Sequence, residues 1–190
     1  MAAPRAGDPV AMDIRSLDAC EARAFTAAVA PLFEGAPRFL ARLAAARPFG
    51  SADALFAAAR AIALGMPRDE QLELIDAHPR LGAPPATVSA LSFREQGYDR
   101  ERAEAAAADA AMDRARAGAE LDRLNAAYEA RFGFRYCVFV AGRPREALLP
   151  GMHAALEADR EAEVRRALEA VVDIAADRYA MLGGTRVRAR

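Results

Sequence analysis

An all-α, single-domain bundle of about seven or eight helices, with one short extended segment, is the fold this 190-residue sequence predicts. Three observations predict it. Apolar residues recur at three- and four-residue spacing through most of the chain. Pro, Gly and Ser punctuate these stretches where helices would start and stop. Only one run, Tyr136-Cys137-Val138-Phe139-Val140, has the β-branched and aromatic character of extended chain.

Residues 1–15 read as a disordered tail. A helix is expected from about Asp18 to Phe33, with Phe25, Val29, Leu32 and Phe33 on one side and Gly35 and Pro37 after it. A second runs from Pro37 to Ala46, since proline is acceptable in a first turn, and buries Phe39, Leu40 and Leu43. Ser51 is a suitable N-cap for a third, which carries Leu55, Phe56, Ala59 and Ile62 and closes at Gly65. Pro67 opens a fourth that runs through Leu72 to His78. The Pro-, Gly- and Ser-containing stretch from Pro79 to Leu91 is a loop, and helix resumes at Ser92. From Arg100 to Arg131 the chain has strong helix propensity, with Leu121, Leu124, Tyr128 and Phe132 on the buried side. Gly133 stops that helix. After the extended run come helices over 144–158, which Pro150-Gly151 should kink or break, and 159–182. The domain therefore spans 16–183, between the first tail and a basic tail, 184–190.

Composition removes several classes of function. Lys plus Arg total 26 against 27 Asp plus Glu, a formal net charge of −1, which gives no argument for nucleic acid or an acidic membrane as partner. Every one of the 26 basic residues is arginine, so neither a Schiff-base lysine nor a Walker-type phosphate loop is available. Cys20 and Cys137 are isolated, and with two histidines no metal site or disulfide framework is expected. No apolar run reaches ~18 residues, and Met1 to Asp13 lacks the apolar centre of a signal peptide, so the cytoplasm is the expected compartment.

Chemistry could sit in four places. His78 continues the apolar stripe of Leu72 and Ile75 and precedes Pro79, which places it at a helix C-terminus. Unpaired carbonyls and the negative dipole end there favour a protonated ring. Such a residue is either a core histidine satisfied by a carbonyl, the reading this stretch alone favours, or a proton-transfer site. Ser92-Phe93-Arg94-Glu95 has the form of a capping box, with Gln96 beside it. Arg178 lies on the apolar stripe Val164, Leu168, Val171, Ile174, Leu182, so it either snorkels to water or binds a buried anion. The extended run 136–140 has backbone groups with no evident ladder partner, to be met by another segment, water or a ligand. His153 reads as structural or exposed, and Asp159-Arg160-Glu161 and Arg165-Arg166 as solvated faces.

Taken together, His78-Pro79-Arg80-Leu81-Gly82, then Ser92-x-x-Glu95-Gln96, then Leu124-Asn125-Ala126-Ala127-Tyr128 running to Arg131-Phe132-Gly133-Phe134, then Arg178 in a terminal helix, resembles the 2-oxo-4-hydroxy-4-carboxy-5-ureidoimidazoline (OHCU) decarboxylases of purine degradation. The likeness covers nearly the whole chain. It implies an all-α homodimer that needs no cofactor and converts OHCU to (S)-allantoin and CO2. It also implies His78, Glu95 and Arg178 as the catalytic set, with Pro79, Ser92, Gln96, Tyr136, Cys137, Val138, Phe139 and Val140 around the substrate. The stretch between Gln96 and Leu124 is several residues longer than usual, and Arg80 stands where many members have Asp. A non-enzymatic helical interaction module, with the Ala- and Arg-rich segment 100–119 as its binding face, and a different ureide-processing enzyme are the competing readings.

Overall fold

The computed structural model describes residues 12–98 and 108–183. The described residues form nine α-helices and no strand. These are α1 (Ile14–Ala19), α2 (Ala22–Val29), α3 (Pro37–Ala45), α4 (Ala52–Gly65), α5 (Arg68–Asp76), α6 (Ala90–Glu95), α7 (Ala108–Phe132), α8 (Leu149–Leu156) and α9 (Arg160–Met181). No described helix is long and apolar enough to cross a membrane.

Several boundaries differ from expectation for identifiable reasons. The segment expected as one helix over Asp18–Phe33 is α1, α2 and a 3-10 turn, Ala30–Phe33. Cys20 is extended (φ −82°, ψ 163°) and breaks it, and Pro31 tightens its end. The first helix also begins inside the expected tail, because Asp13 caps it by accepting from the Ser16 N–H at 3.1 Å. Asp18 does not begin a helix. Its carboxylate accepts the Phe49 and Gly50 N–H groups at 2.9 and 2.8 Å and so fixes the turn before α4. Pro150 does not kink a helix but sits in the first turn of α8, after a 3-10 turn over Arg145–Leu148. The tail 184–190 and residues 99–107 of the Ala-rich segment lie outside the described residues.

Helix α9 is the centre of the bundle. It packs against α4, α5 and the 3-10 turn at Ala30–Phe33, and buries Val164, Leu168, Val171, Ile174 and Tyr179. Asp159 caps it through the Glu161 and Ala162 N–H groups at 2.8 and 3.3 Å. Helix α7 lies along α8 and contributes Leu121, Leu124 and Tyr128 to the core. Its C-terminal end carries an aromatic cluster. Tyr128 meets Phe132, Phe134 and Tyr136 at centroid distances of 4.6, 5.5 and 5.1 Å, which ties the extended run to α7 without a sheet.

Both the cap and the core of α9 can be measured. Asp159→Ala should cost about 1 kcal/mol, as lost N-caps do. Leu168→Ala should cost about 2–5 kcal/mol, because Leu168 is almost wholly buried and leaves a cavity. Urea unfolding midpoints of the two variants against the parent protein check that ordering.

Candidate active site

The loop after α5 places His78. Helix α5 stops at Asp76, two residues earlier than expected, and Ala77 and His78 continue as a tight turn with the His78 N–H bonded to the Ile75 carbonyl at 3.1 Å. Side chains from three other places then hold this irregular backbone. Arg135 donates to the Asp76 and His78 carbonyls at 2.8 and 3.1 Å, while the Asp76 carboxylate accepts the Arg135 N–H at 2.8 Å. Gln96 accepts the Gly82 N–H at 2.8 Å and donates to the Arg80 carbonyl at 3.2 Å. Asn125 on α7 donates to the Leu81 carbonyl at 2.9 Å. Gly82 has φ +81°, a conformation that favours glycine, and a Cβ there would sit 3.3 Å from the Leu121 side chain, which would have to shift slightly.

The His78 ring is buried. Its Nδ1 lies 3.3 Å from the Leu74 carbonyl and its Nε2 has no hydrogen-bond partner among the described residues. A carbonyl can only accept, so Nδ1 carries the proton and Nε2 presents a lone pair. The expected preference of a helix end for the protonated ring is overturned. Burial, then the charge of Arg178, lowers the His78 pKa to about 4, against the opposing pull of Glu34.

Arg178 does not snorkel to water. It is fully buried in α9. Its Nε and Nη2 grip the two oxygens of Glu95 at 2.8 and 2.7 Å. Nη2 also reaches Ser92 Oγ and Glu34 Oε1, both at 2.9 Å, and Nη1 donates to the Pro31 and Leu32 carbonyls at 2.9 and 3.4 Å. Burial works against its charge, but hydrogen bonds and charge from Glu95 and Glu34 outweigh it and raise the pKa. Burial likewise raises the Glu95 pKa, against Arg178. On Glu34 burial is the largest effect, yet Ser92, Arg178 and Ser89 together bring its pKa below the ordinary value.

The capping-box reading of Ser92 is also overturned. Ser89 is the N-cap of α6, accepting the Ser92 N–H at 3.2 Å, and Ser92 lies inside the helix. Its hydroxyl donates to Glu34 at 2.6 Å. Glu95 is therefore at the C-terminal end of α6 and faces Arg178 rather than capping a helix start.

One cavity gathers these groups. The empty space inside it, with the open solvent at its mouth counted, is about 390 Å³. His78, Pro79, Ser92, Glu95, Gln96, Tyr136, Cys137, Val138, Val140 and Arg178 line it, with Leu81 and Ile174. Phe139 does not; it borders a neighbouring groove with Arg94, Ala141, Asp177 and Met181. Burial pushes the Cys137 thiol up to about 12, so it is a neutral wall. Arg80 points away and pairs with Glu129 on α7. His153 is half-exposed, 2.9 Å from Glu120.

The backbone of the extended run is only half satisfied by protein. The Cys137 carbonyl accepts from Arg166 at 2.9 Å, the Phe139 carbonyl from Arg143 at 2.6 Å, and the Val140 carbonyl from the Arg143 N–H and Nε, both at 3.0 Å. The N–H groups of 136–140 have no acceptor among the described residues.

Sequence reasoning missed Glu34, Arg135 and Arg166. Glu34 sits in a Phe-Glu-Gly turn in the left-handed region (φ 50°), a conformation unusual for a residue with a side chain, and no local pattern marks it. Arg166 lies in what reads as a solvated charge run, yet it is tied to Glu163 and the extended segment.

Comparison with known proteins bears on this arrangement. The sequence pattern of the OHCU decarboxylase family matches residues 18–180. The chain is 32% identical over 164 residues to the uric acid degradation bifunctional protein PucL of Bacillus subtilis, which covers 86% of this chain but only 31% of that protein. It is 30% identical over 156 residues to the 2-oxo-4-hydroxy-4-carboxy-5-ureidoimidazoline decarboxylase of Haloferax volcanii, covering 82% of this chain and 87% of the relative. The crystal structure of an OHCU decarboxylase in the presence of (S)-allantoin superposes with a TM-score of 0.60 at 21% identity, over 86% of this chain and 98% of that one. That of an (S)-allantoin synthase gives 0.59 at 19%, over 90% and 54%. At those identities the structures speak for the fold alone. The family pattern and the Haloferax relative, each spanning most of the domain, show that this chain belongs to the OHCU decarboxylase family.

Proposed function

We propose that the protein decarboxylates OHCU to (S)-allantoin and CO2 in urate degradation, without a cofactor, and that His78 performs the proton transfers. Family membership supports the reaction. The observation that carries the residue assignment is the His78 Nε2, without a partner among the described residues, in a cavity shared with Glu95, Gln96 and the extended run.

The chemistry follows from the substrate's connectivity. Carbon 4 carries both hydroxyl and carboxylate, and the adjacent ring carbon is doubly bonded to nitrogen. His78 Nε2 takes the hydroxyl proton as a base, the role its neutral tautomer allows. The bond from carbon 4 to the carboxylate breaks, its electron pair forms a carbon–carbon double bond, and the C=N pair moves onto nitrogen, which takes a proton. A proton delivered to the neighbouring carbon from one face then leaves a carbonyl at carbon 4 and sets the (S) configuration. The adjacent C=N unit is the electron sink, so the reading requires no pyridoxal or thiamin.

The other residues position. Arg178 spends its donors on Glu95, Ser92, Glu34 and backbone. Its role in this reading is to fix Glu95 and Ser92 at the cavity wall, while Glu95 holds a ureido N–H or the imidazole in register. Main-chain N–H groups of 136–140 and the second amide hydrogen of Gln96 orient the ligand. A homodimer, from the family resemblance, and the cytoplasm, from the sequence's lack of a signal-peptide or membrane-spanning pattern, complete the reading.

His78→Asn should fold as the parent does and lose about 10²–10⁴ in kcat, the usual worth of a general base. CO2 release and the chirality of allantoin from freshly generated OHCU measure this, and near-parental turnover by folded His78→Asn protein rejects the role. Glu95→Gln should lose far more activity than stability, with unfolding midpoints measured alongside kcat/KM; a rate loss that merely tracks stability makes Glu95 structural.

The lowered His78 pKa has two readouts. The acid limb of kcat/KM should fall near pH 4, not near the ordinary value of 6.5. Between those values the unfolded chain binds the extra proton, so His78 contributes stability that is fully present above pH 6.5 and lost as pH falls towards 4. That part of the stability slope should flatten in His78→Asn, as read by urea titrations at pH 5 and 7.

A further inference from the structure

A polar network of buried Tyr128 and Glu163 and half-buried Arg166, none of which lines the cavity, meets the extended run. Tyr128 donates to Glu163 at 2.8 Å, and Arg166 Nε donates to both Glu163 oxygens at 3.1 and 2.9 Å. The Arg166 guanidinium lies 4.6 Å from the Tyr136 ring centroid, and its Nη1 donates to the Cys137 carbonyl at 2.9 Å. Arg166 does not line the cavity, whereas Cys137 and Val138 do.

Peptide geometry gives this contact a consequence. In a trans peptide the carbonyl of one residue and the N–H of the next point in opposite directions. The Arg166 guanidinium holds the Cys137 carbonyl toward α9, so the same peptide turns the Val138 N–H the other way. That N–H has no acceptor among the described residues. A cation bonded to the carbonyl also polarises the amide and strengthens its N–H as a donor.

We propose that Arg166 is a positioning residue that aims and polarises the Val138 N–H as the donor for the ligand oxygen on which negative charge develops. The inference rests on the decarboxylase reading and deepens it. A donor fixed on the departing carboxylate would hold back a group that leaves as neutral CO2. A donor on the oxygen of carbon 4 instead meets charge that grows toward the transition state. Glu163 and Tyr128 fix the guanidinium, and Arg143 acts on the Phe139 carbonyl in the same way.

The test pairs kinetics with amide spectra of the full-length protein. In wild type the 15N–1H signal of Val138 should move downfield on saturation with (S)-allantoin, whose ring carbonyl derives from that oxygen. In Arg166→Met that movement should shrink, and kcat should fall at least tenfold with KM within about threefold, whereas a packing role would not separate kcat from KM in this way. Arg166→Lys should recover part of kcat. Because Arg166→Met strands a buried carboxylate, Glu163→Gln/Arg166→Met carries the same expectation should the single variant not fold. Wild-type protein inert toward OHCU overturns the decarboxylase reading and this one with it. An active wild type whose Val138 amide is unmoved, or a folded variant that keeps its kcat or changes only KM, overturns the role of Arg166 alone.

Discussion

The structure depends on a cation placed where hydrophobic residues would be expected. Arg178 occupies a core position of α9, and removing such a group from water costs several kcal/mol before any partner is counted. It persists because every N–H of the guanidinium has an acceptor. These acceptors come from distant parts of the chain: Glu34 and the Pro31 and Leu32 carbonyls on the N-terminal side, and Ser92 and Glu95 on α6. The ion cluster therefore joins α2's end, α6 and α9 at one point. It fixes the direction of Glu95 and Ser92 at the cavity wall, since rotating either would leave a buried donor unmatched.

Around that point the protein holds two irregular backbones without a sheet. The turn carrying His78 is held by Arg135, Gln96 and Asn125, and the extended run by Arg166 and Arg143. In each case side chains bind carbonyls. Regular secondary structure would have consumed the N–H groups as well. In the His78 turn Gln96 also accepts the Gly82 N–H, but in the extended run pinning through carbonyls alone leaves the N–H groups for a ligand. It also explains why a planar, multidonor arginine suits this work better than a point-like ammonium.

Most of the helices were legible because their signals are local. Ser51 caps α4 and Pro37 opens α3 as spacing requires, and the stripe from Val164 to Ile174 is the core face of α9. The cavity-lining residues in His78-Pro79, Ser92-x-x-Glu95-Gln96 and the extended run were legible only as a combination. What remained hidden is non-local. Ser89 competes with Ser92 as a cap three residues away, and only the fold decides between them. Glu34 owes its importance to partners 55 to 144 positions distant. The protonation preference of His78 reversed for the same reason: a helix end predicts one sign locally, whereas burial and a cation from α9 impose the other.

The charges at the site narrow how an anionic ligand can be held. Arg178 faces two carboxylates, Glu34 and Glu95, and His78 is neutral at ordinary pH. Whichever protonation state Glu95 takes, this group carries no net positive charge, so simple attraction does not retain a carboxylated substrate. Directional donors must do so, and among the described residues the N–H groups of the extended run, with the second amide hydrogen of Gln96, are not already committed. Donors fixed in place need little reorganisation as charge moves from a carboxylate to a ring oxygen, whereas a mobile counter-ion would have to follow it. On that argument the extended run is more than an interruption in a helical bundle. Its lack of a strand partner leaves the N–H groups the proposed reaction requires.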